Sequence, residues 1–139
     1  MRFSLCLIAL GLTAQLVGQN NSEDVLVSLK ESVPVFEHCG HIEDDANAQQ
    51  TCFNRFIMSH IMNELRWPEG LEETGRVFVE VLFDATGKIT QVESVRSYDD
   101  RAADEAVRAM RTLPDAMRPA TKQGEPSTYN CVVPVSFQR

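Results

Sequence analysis

Cys39, His41, Cys52 and His60, with His38 beside the first of them, are the side chains of this sequence best suited to hold a soft metal or to exchange electrons. Sulfur and imidazole are ligands that zinc favours, and four of them would complete a tetrahedral shell. Their spacing matches no compact structural zinc pattern, so no metal or other cofactor is assigned. A Cys39–Cys52 disulfide is the plainer account in an exported protein, with free thiols as the third possibility. Such a bridge would fasten residues 35–45 to the following helix and contribute about 3 kcal/mol in the chain-entropy model.

Searches for catalytic constellations return little. The sequence holds no Gly-x-Ser-x-Gly, no phosphate-binding loop, no His-Glu-x-x-His and no Cys-x-x-Cys. The acidic pairs Glu72-Glu73, Asp99-Asp100 and Asp104-Glu105 read as solvated turns and helix starts, where negative charge meets free backbone N–H groups. No catalytic residue is assigned, and the chain is expected not to be an enzyme.

The 139 residues allow one domain and carry 13 Lys and Arg against 20 Asp and Glu, a formal charge of −7. An acidic chain argues against nucleic acid, which wants clustered positive charge. Met1-Arg2 and the apolar run from Leu5 to Val17 form the charged head and short hydrophobic stretch of a signal peptide. About 13 helical residues rise only about 20 Å against a bilayer core of about 30 Å, so cleavage near Gly18 or Gln19 and export to the periplasm are expected. An uncleaved leader would instead leave an inner-membrane anchor. The expected organisation is signal peptide 1–19, short polar tether 20–33 and folded domain 34–139. Losing Cys6 leaves three cysteines, which suggests one bridge and one spare thiol; Cys131 is expected to be that inert buried thiol.

The elements that must position these residues follow from periodicity. Phe53, Phe56, Ile57, Ile61 and Leu65 share one stripe of a helix expected over 48–66, capped by Asn47 with Gln50 and stopped by Pro68. Val77, Val79, Val81 and Phe83 alternate with Phe78, Glu80 and Leu82, so the run is a strand with one strongly apolar face. Asp84-Ala85-Thr86-Gly87 supplies a turn, with Gly87 free to take positive φ, into a second strand over 88–96. Asp99 or Asp100 caps a second helix facing inward through Ala103, Ala106, Val107 and Met110, which Pro114 closes. Tyr129 to Phe137 alternates as a last strand, and Pro134, having no N–H to give a ladder, places it at a sheet edge or a bulge.

The order Trp67-Pro68, Gly75 to Phe83, Asp84 to Gly87, Ala102 to Met110, Leu113-Pro114, Pro119-Ala120, Gly124-Glu125-Pro126 and Val133 to Phe137 resembles the C-terminal domain of TonB-type energy transducers. The resemblance runs from about Pro34 to Phe137. It implies an α+β fold, a small antiparallel three-stranded sheet with two helices packed on one face. Pro34-Val35-Phe36-Glu37-His38-Cys39 and a second cysteine early in the helix are similar to Bacteroidetes-type members, which supports the Cys39–Cys52 bridge.

The resemblance also implies a partner, a plug-domain peptide of a TonB-dependent outer-membrane receptor, and through it a link to energised transmembrane transport. By position, the peptide-binding residues would be Glu64, Leu65, Arg66, Trp67 and Pro68, with Thr128, Tyr129, Asn130, Cys131, Val132, Val133, Pro134 and Val135 as the strand to which the peptide adds. Trp67 can bury its ring and still offer its N–H. A full transducer works through ExbB and ExbD and a long periplasmic reach; about 14 tether residues span at most about 50 Å, too little for that task. Four to six main-chain hydrogen bonds at roughly 1 kcal/mol each, set against the cost of association, give micromolar affinity at best, so side-chain pockets must supply the remainder. The alternative is a structural domain of the cell envelope that self-associates as a homodimer through the same edge.

Overall fold

The computed structural model describes residues 4–5 and 31–139. The expected cleavage point and most of the tether lie outside the described residues. Strand β1 (Ser4–Leu5) is followed by a 3-10 turn at Glu37–Cys39, α1 (Ala46–Glu64), β2 (Gly75–Phe83), β3 (Ile89–Arg96), α2 (Asp100–Arg111), β4 (Ala120–Lys122), β5 (Glu125–Ser127) and β6 (Tyr129–Phe137). The main sheet runs β1-β6-β2-β3, and β4 pairs with β5 apart from it. Its three long strands are antiparallel and the two helices pack on one face, so the expected α+β architecture holds; the short parallel β1 and the β4–β5 hairpin add to it.

Alternation builds the sheet. Val77, Val79, Val81 and Phe83 are fully buried, while Arg76, Phe78, Glu80 and Leu82 point to the opposite face. Asp84 closes the hairpin: its N–H donates to the Lys88 carbonyl, and its carboxylate accepts from the Thr86 and Lys88 N–H groups at 2.8 and 3.0 Å. Gly87 takes φ +92°, and an added Cβ would stand 2.8 Å from the Ala116 carbonyl oxygen, so glycine is required by both torsion and space.

The helices cover this face with side chains of different size. On α1, Phe53, Ile57 and Ile61 are buried at intervals of four. On α2 the buried set is Ala102, Ala106, Ala109 and Met110, small enough to bring the helix close to the sheet. The expected inward face of α2 is thus rotated: Ala103 and Val107 are only partly buried and lie toward β3. Two boundaries of α1 also differ from expectation. Asp45, in extended backbone, accepts the Ala48 N–H at 3.0 Å and is the cap, with Asn47 already helical. At the other end Leu65 has left helical torsions (ψ 131°), so the chain straightens before it meets Pro68.

The segment ahead of α1 belongs to the core. Val33, Val35, Phe36 and Cys39 are buried, and the Val35 carbonyl accepts from the Met117 and Arg118 N–H groups. Phe36 stacks on Phe53 (ring centres 5.4 Å) and meets Phe56 (4.4 Å) and Phe83 (6.0 Å). The Cys39–Cys52 disulfide is formed, with Sγ–Sγ 2.04 Å, and ties the 3-10 turn to the first turns of α1.

Candidate peptide-binding edge

Strand β6 is the element on which the expected binding residues converge. It pairs with β2 residue by residue from Phe83 opposite Tyr129 to Gly75 opposite Phe137, without a shift. Of the two positions open to Pro134, an edge or a bulge, the unbroken register removes the bulge. Tyr129, Cys131, Val133, Val135 and Phe137 turn toward the helices; Asn130, Val132, Pro134 and Ser136 lie on the other face beside Leu82, Glu80, Phe78 and Arg76.

The two outer sides of the long-stranded sheet differ. On β3 the pairing with β2 slips twice, and the Ile89 N–H is taken by the Asp115 carboxylate at 2.9 Å, features that disfavour further pairing. On β6 the ladder is regular, and its far side already carries a strand: β1 lies parallel to it, Ser4 opposite Cys131 and Leu5 opposite Val132.

At the start of β6 a cleft of about 450 Å³ is lined by Ser32, Gln50, Thr121, Ser127, Thr128, Tyr129 and Asn130 among others. The Asn130 Oδ1 atom is buried and accepts no hydrogen bond from the described residues. A buried acceptor without a donor costs roughly 1–3 kcal/mol, which an incoming N–H would relieve. Sequence reasoning placed Asn130 in the binding strand but gave it no special weight, because satisfaction of a side chain depends on groups distant along the chain.

The segment Glu64–Pro68 is placed differently. The Arg108 guanidinium donates to the Glu64 carbonyl at 2.7 Å, and the Arg66 N–H donates to Glu105 Oε1 at 3.1 Å, so the exit of α1 is stapled to α2. Trp67 donates its indole N–H to the Leu71 carbonyl at 2.6 Å, meets Phe137 edge-on at 6.3 Å and carries the Arg139 guanidinium 4.7 Å above its ring. Its N–H is therefore committed inside the domain and is not the offered donor that the sequence suggested. Leu65 and Trp67 pack against the core. Trp67 thus marks the C-terminal end of β6, whereas the polar cleft marks its beginning, about 27 Å away at strand rise. A ligand touching both would need about eight extended residues.

The staple titrates. The Arg108 guanidinium, and to a lesser extent the Arg66 N–H, hold the Glu105 carboxyl below its ordinary range against the opposing effect of burial. A carboxyl whose pKa is depressed by folding gives stability that is complete above its unfolded value, about 4.3, and lost as pH falls through the folded value. Thermal melting from pH 7 to pH 2 is expected to show stability falling on the acid side, and Glu105→Gln is expected to flatten that fall. An identical acid slope in the variant would remove Glu105 as its source.

The sulfurs of Cys39 and Cys52 are joined to one another, which takes both out of the zinc set considered above. His60 is engaged elsewhere, its Nε2 lying 2.6 Å from the Thr112 hydroxyl, which itself donates to the Ala109 carbonyl. Cys131 corrects the expectation of a spare thiol: its sulfur is disulfide-bonded. Among the described residues no helix is long and apolar enough to cross a membrane.

Comparison with known proteins gives one family. Residues 70–138 match the family model of the Gram-negative bacterial TonB protein C-terminal domain. That stretch begins just after Pro68 and holds all three long strands and α2. No curated protein and no solved structure matches the chain.

Proposed function

We propose, from the match of residues 70–138 to the family model of the TonB protein C-terminal domain, that the chain is an exported, non-catalytic binding domain that takes an extended peptide of a TonB-dependent outer-membrane receptor onto β6. The observation that carries this reading is the contrast between the two strands that flank β2: β3 is irregular and capped, while β6 is in unbroken register over its whole length. Main-chain pairing along Thr128–Val135 supplies orientation and modest affinity, as in other strand additions. The cleft beside Asn130 supplies a side-chain contact that backbone pairing lacks. Trp67, Leu65 and Pro68 support the far end of the strand from within, and Glu64 and Arg66 hold that support to α2. Removal of the leader near Gly18 or Gln19 would place the domain in the periplasm, where the receptor segment is met.

Amide NMR of the labelled chain, titrated with eight-residue plug-segment peptides, is expected to give saturable shifts along Thr128–Val135. Asn130→Ala is expected to weaken binding about three- to tenfold, the loss of one hydrogen bond. Shifts confined to β3, or none up to millimolar peptide, would sink the reading.

A further inference from the structure

We infer that the face of the Trp67 ring is a subsite for a cationic side chain of the partner peptide, an arginine above all, and that Arg139 holds the place until that side chain arrives; the partner, though not the subsite, rests on the proposed peptide site. The chemistry that the ring accepts is visible within the chain itself, since the Arg139 guanidinium lies 4.7 Å above it. An aromatic face attracts a cation through its quadrupole, tryptophan most strongly, and a planar guanidinium also stacks on it where an ammonium cannot. Trp67 meets Phe137, the last residue of β6, edge-on, so a peptide paired along β6 would bring its end residue to this ring.

The surroundings suit a cation. Residues 69–73 carry Glu69, Glu72 and Glu73, all exposed, and the carbonyls of Gly70 and Leu71 both accept from guanidinium groups. The two arginines that donate there are held differently. Arg101 donates to Asp99 Oδ1 and Oδ2 at 3.2 and 3.0 Å and to the Gly70 carbonyl at 2.6 Å, and its pKa is raised chiefly by Asp99, with Glu72 and Glu73 adding to the effect. Arg139 is exposed and, among the described residues, has no ion pair. Beyond the ring it reaches the Leu71 carbonyl at 3.4 Å, an oxygen that already takes the indole N–H at 2.6 Å. Arg101 is thus fixed in its loop. Arg139 is a side chain that another guanidinium can replace, because the Leu71 carbonyl keeps the indole N–H when it leaves.

The test uses the full chain and its Arg139→Gln variant, with capped eight-residue plug-segment peptides in matched forms that carry arginine or glutamine at the first position or at the last. Trp67 is the sole tryptophan, so its emission reads the subsite, while amide shifts along Thr128–Val135 read the strand. On Arg139→Gln, arginine at one of the two ends is expected to change Trp67 emission and to tighten binding about two- to fivefold over the glutamine twin, the factor that one exposed cation–π contact supplies. On the parent chain, where Arg139 competes, the advantage is expected to be smaller. Arginine and glutamine twins that act alike on Arg139→Gln, whether both bind or neither does, overturn the subsite. An emission change with the arginine twins alone, and no shifts along Thr128–Val135, keeps the subsite and removes the strand-addition reading instead.

Discussion

Phe53→Ala is expected to lower the unfolding free energy by about 3–5 kcal/mol, the usual cost of emptying a buried aromatic position. The effect belongs at the top of that range because Phe53 is where four parts of the domain meet. Its ring stacks on Phe36 from the N-terminal segment and lies 6.0 Å from Phe83 of β2 and 5.7 Å from Tyr129 of β6. Removing it leaves α1 without its central contact to both strands. Domains of this size are stable by only about 5–15 kcal/mol, so the variant is expected to melt far below the parent or to be partly unfolded at room temperature. Phe53→Leu, which keeps most of the volume, should retain the fold with a smaller loss. Urea unfolding followed by circular dichroism measures both; a loss under 1 kcal/mol in Phe53→Ala would mean that α1 is held by something other than this aromatic cluster.

The second large effect is expected from the paired change Cys39→Ser with Cys52→Ser. The two cysteines are 13 positions apart, and a closed loop of about 15 residues corresponds to about 3 kcal/mol of stabilisation. The paired substitution is preferable to a reducing agent, which would also open the disulfide at Cys131. Urea unfolding should show the midpoint falling with little change in slope, and exchange should quicken first at Cys39, Gly40 and Ile42, whose N–H groups close the 3-10 turn and the turn after it. Because Phe36 sits beside this staple and stacks on Phe53, the two perturbations share partners and should not add. Full additivity would show the bridge and the aromatic cluster to be independent supports.

Much of this architecture was legible because local periodicity and tertiary burial agree in it. Val77, Val79, Val81 and Phe83 alternate in the sequence and are buried as one face, and Gly87 takes the positive φ that its turn requires. The β4–β5 hairpin was not legible from the same rules. Its strands are three residues long, Pro126 interrupts one of them, and its turn is carried by Gln123 and Gly124 at φ +55° and +80°. The helix caps shifted for a similar reason: Asp45 lies outside the apolar stripe that defines α1, so periodicity points past it to Asn47. The candidate site divides along the same line. That β6 pairs with a long strand on one side alone could be read from Pro134, a residue that reports on its own backbone, whereas the short β1 on its other side could not. Partners such as Leu71 for Trp67 and Glu105 for Arg66, and the absence of one for Asn130 Oδ1 among the described residues, depend on how distant segments come together. Cys131 is the clearest such case, since counting cysteines after leader removal left it spare.

The unbroken nine-residue match between β6 and β2 also has a mechanical side. Antiparallel hydrogen bonds lie perpendicular to the strands, so tension applied along β6 loads the whole row in shear at once, whereas a pull at right angles would open it one bond after another. A strand hydrogen-bonded to the far side of β6 and drawn along its length would pass its load through β6 to β2, the central strand, whose Val77, Val79, Val81 and Phe83 are wholly enclosed. The domain is therefore built to resist traction in one direction and to release by peeling in another.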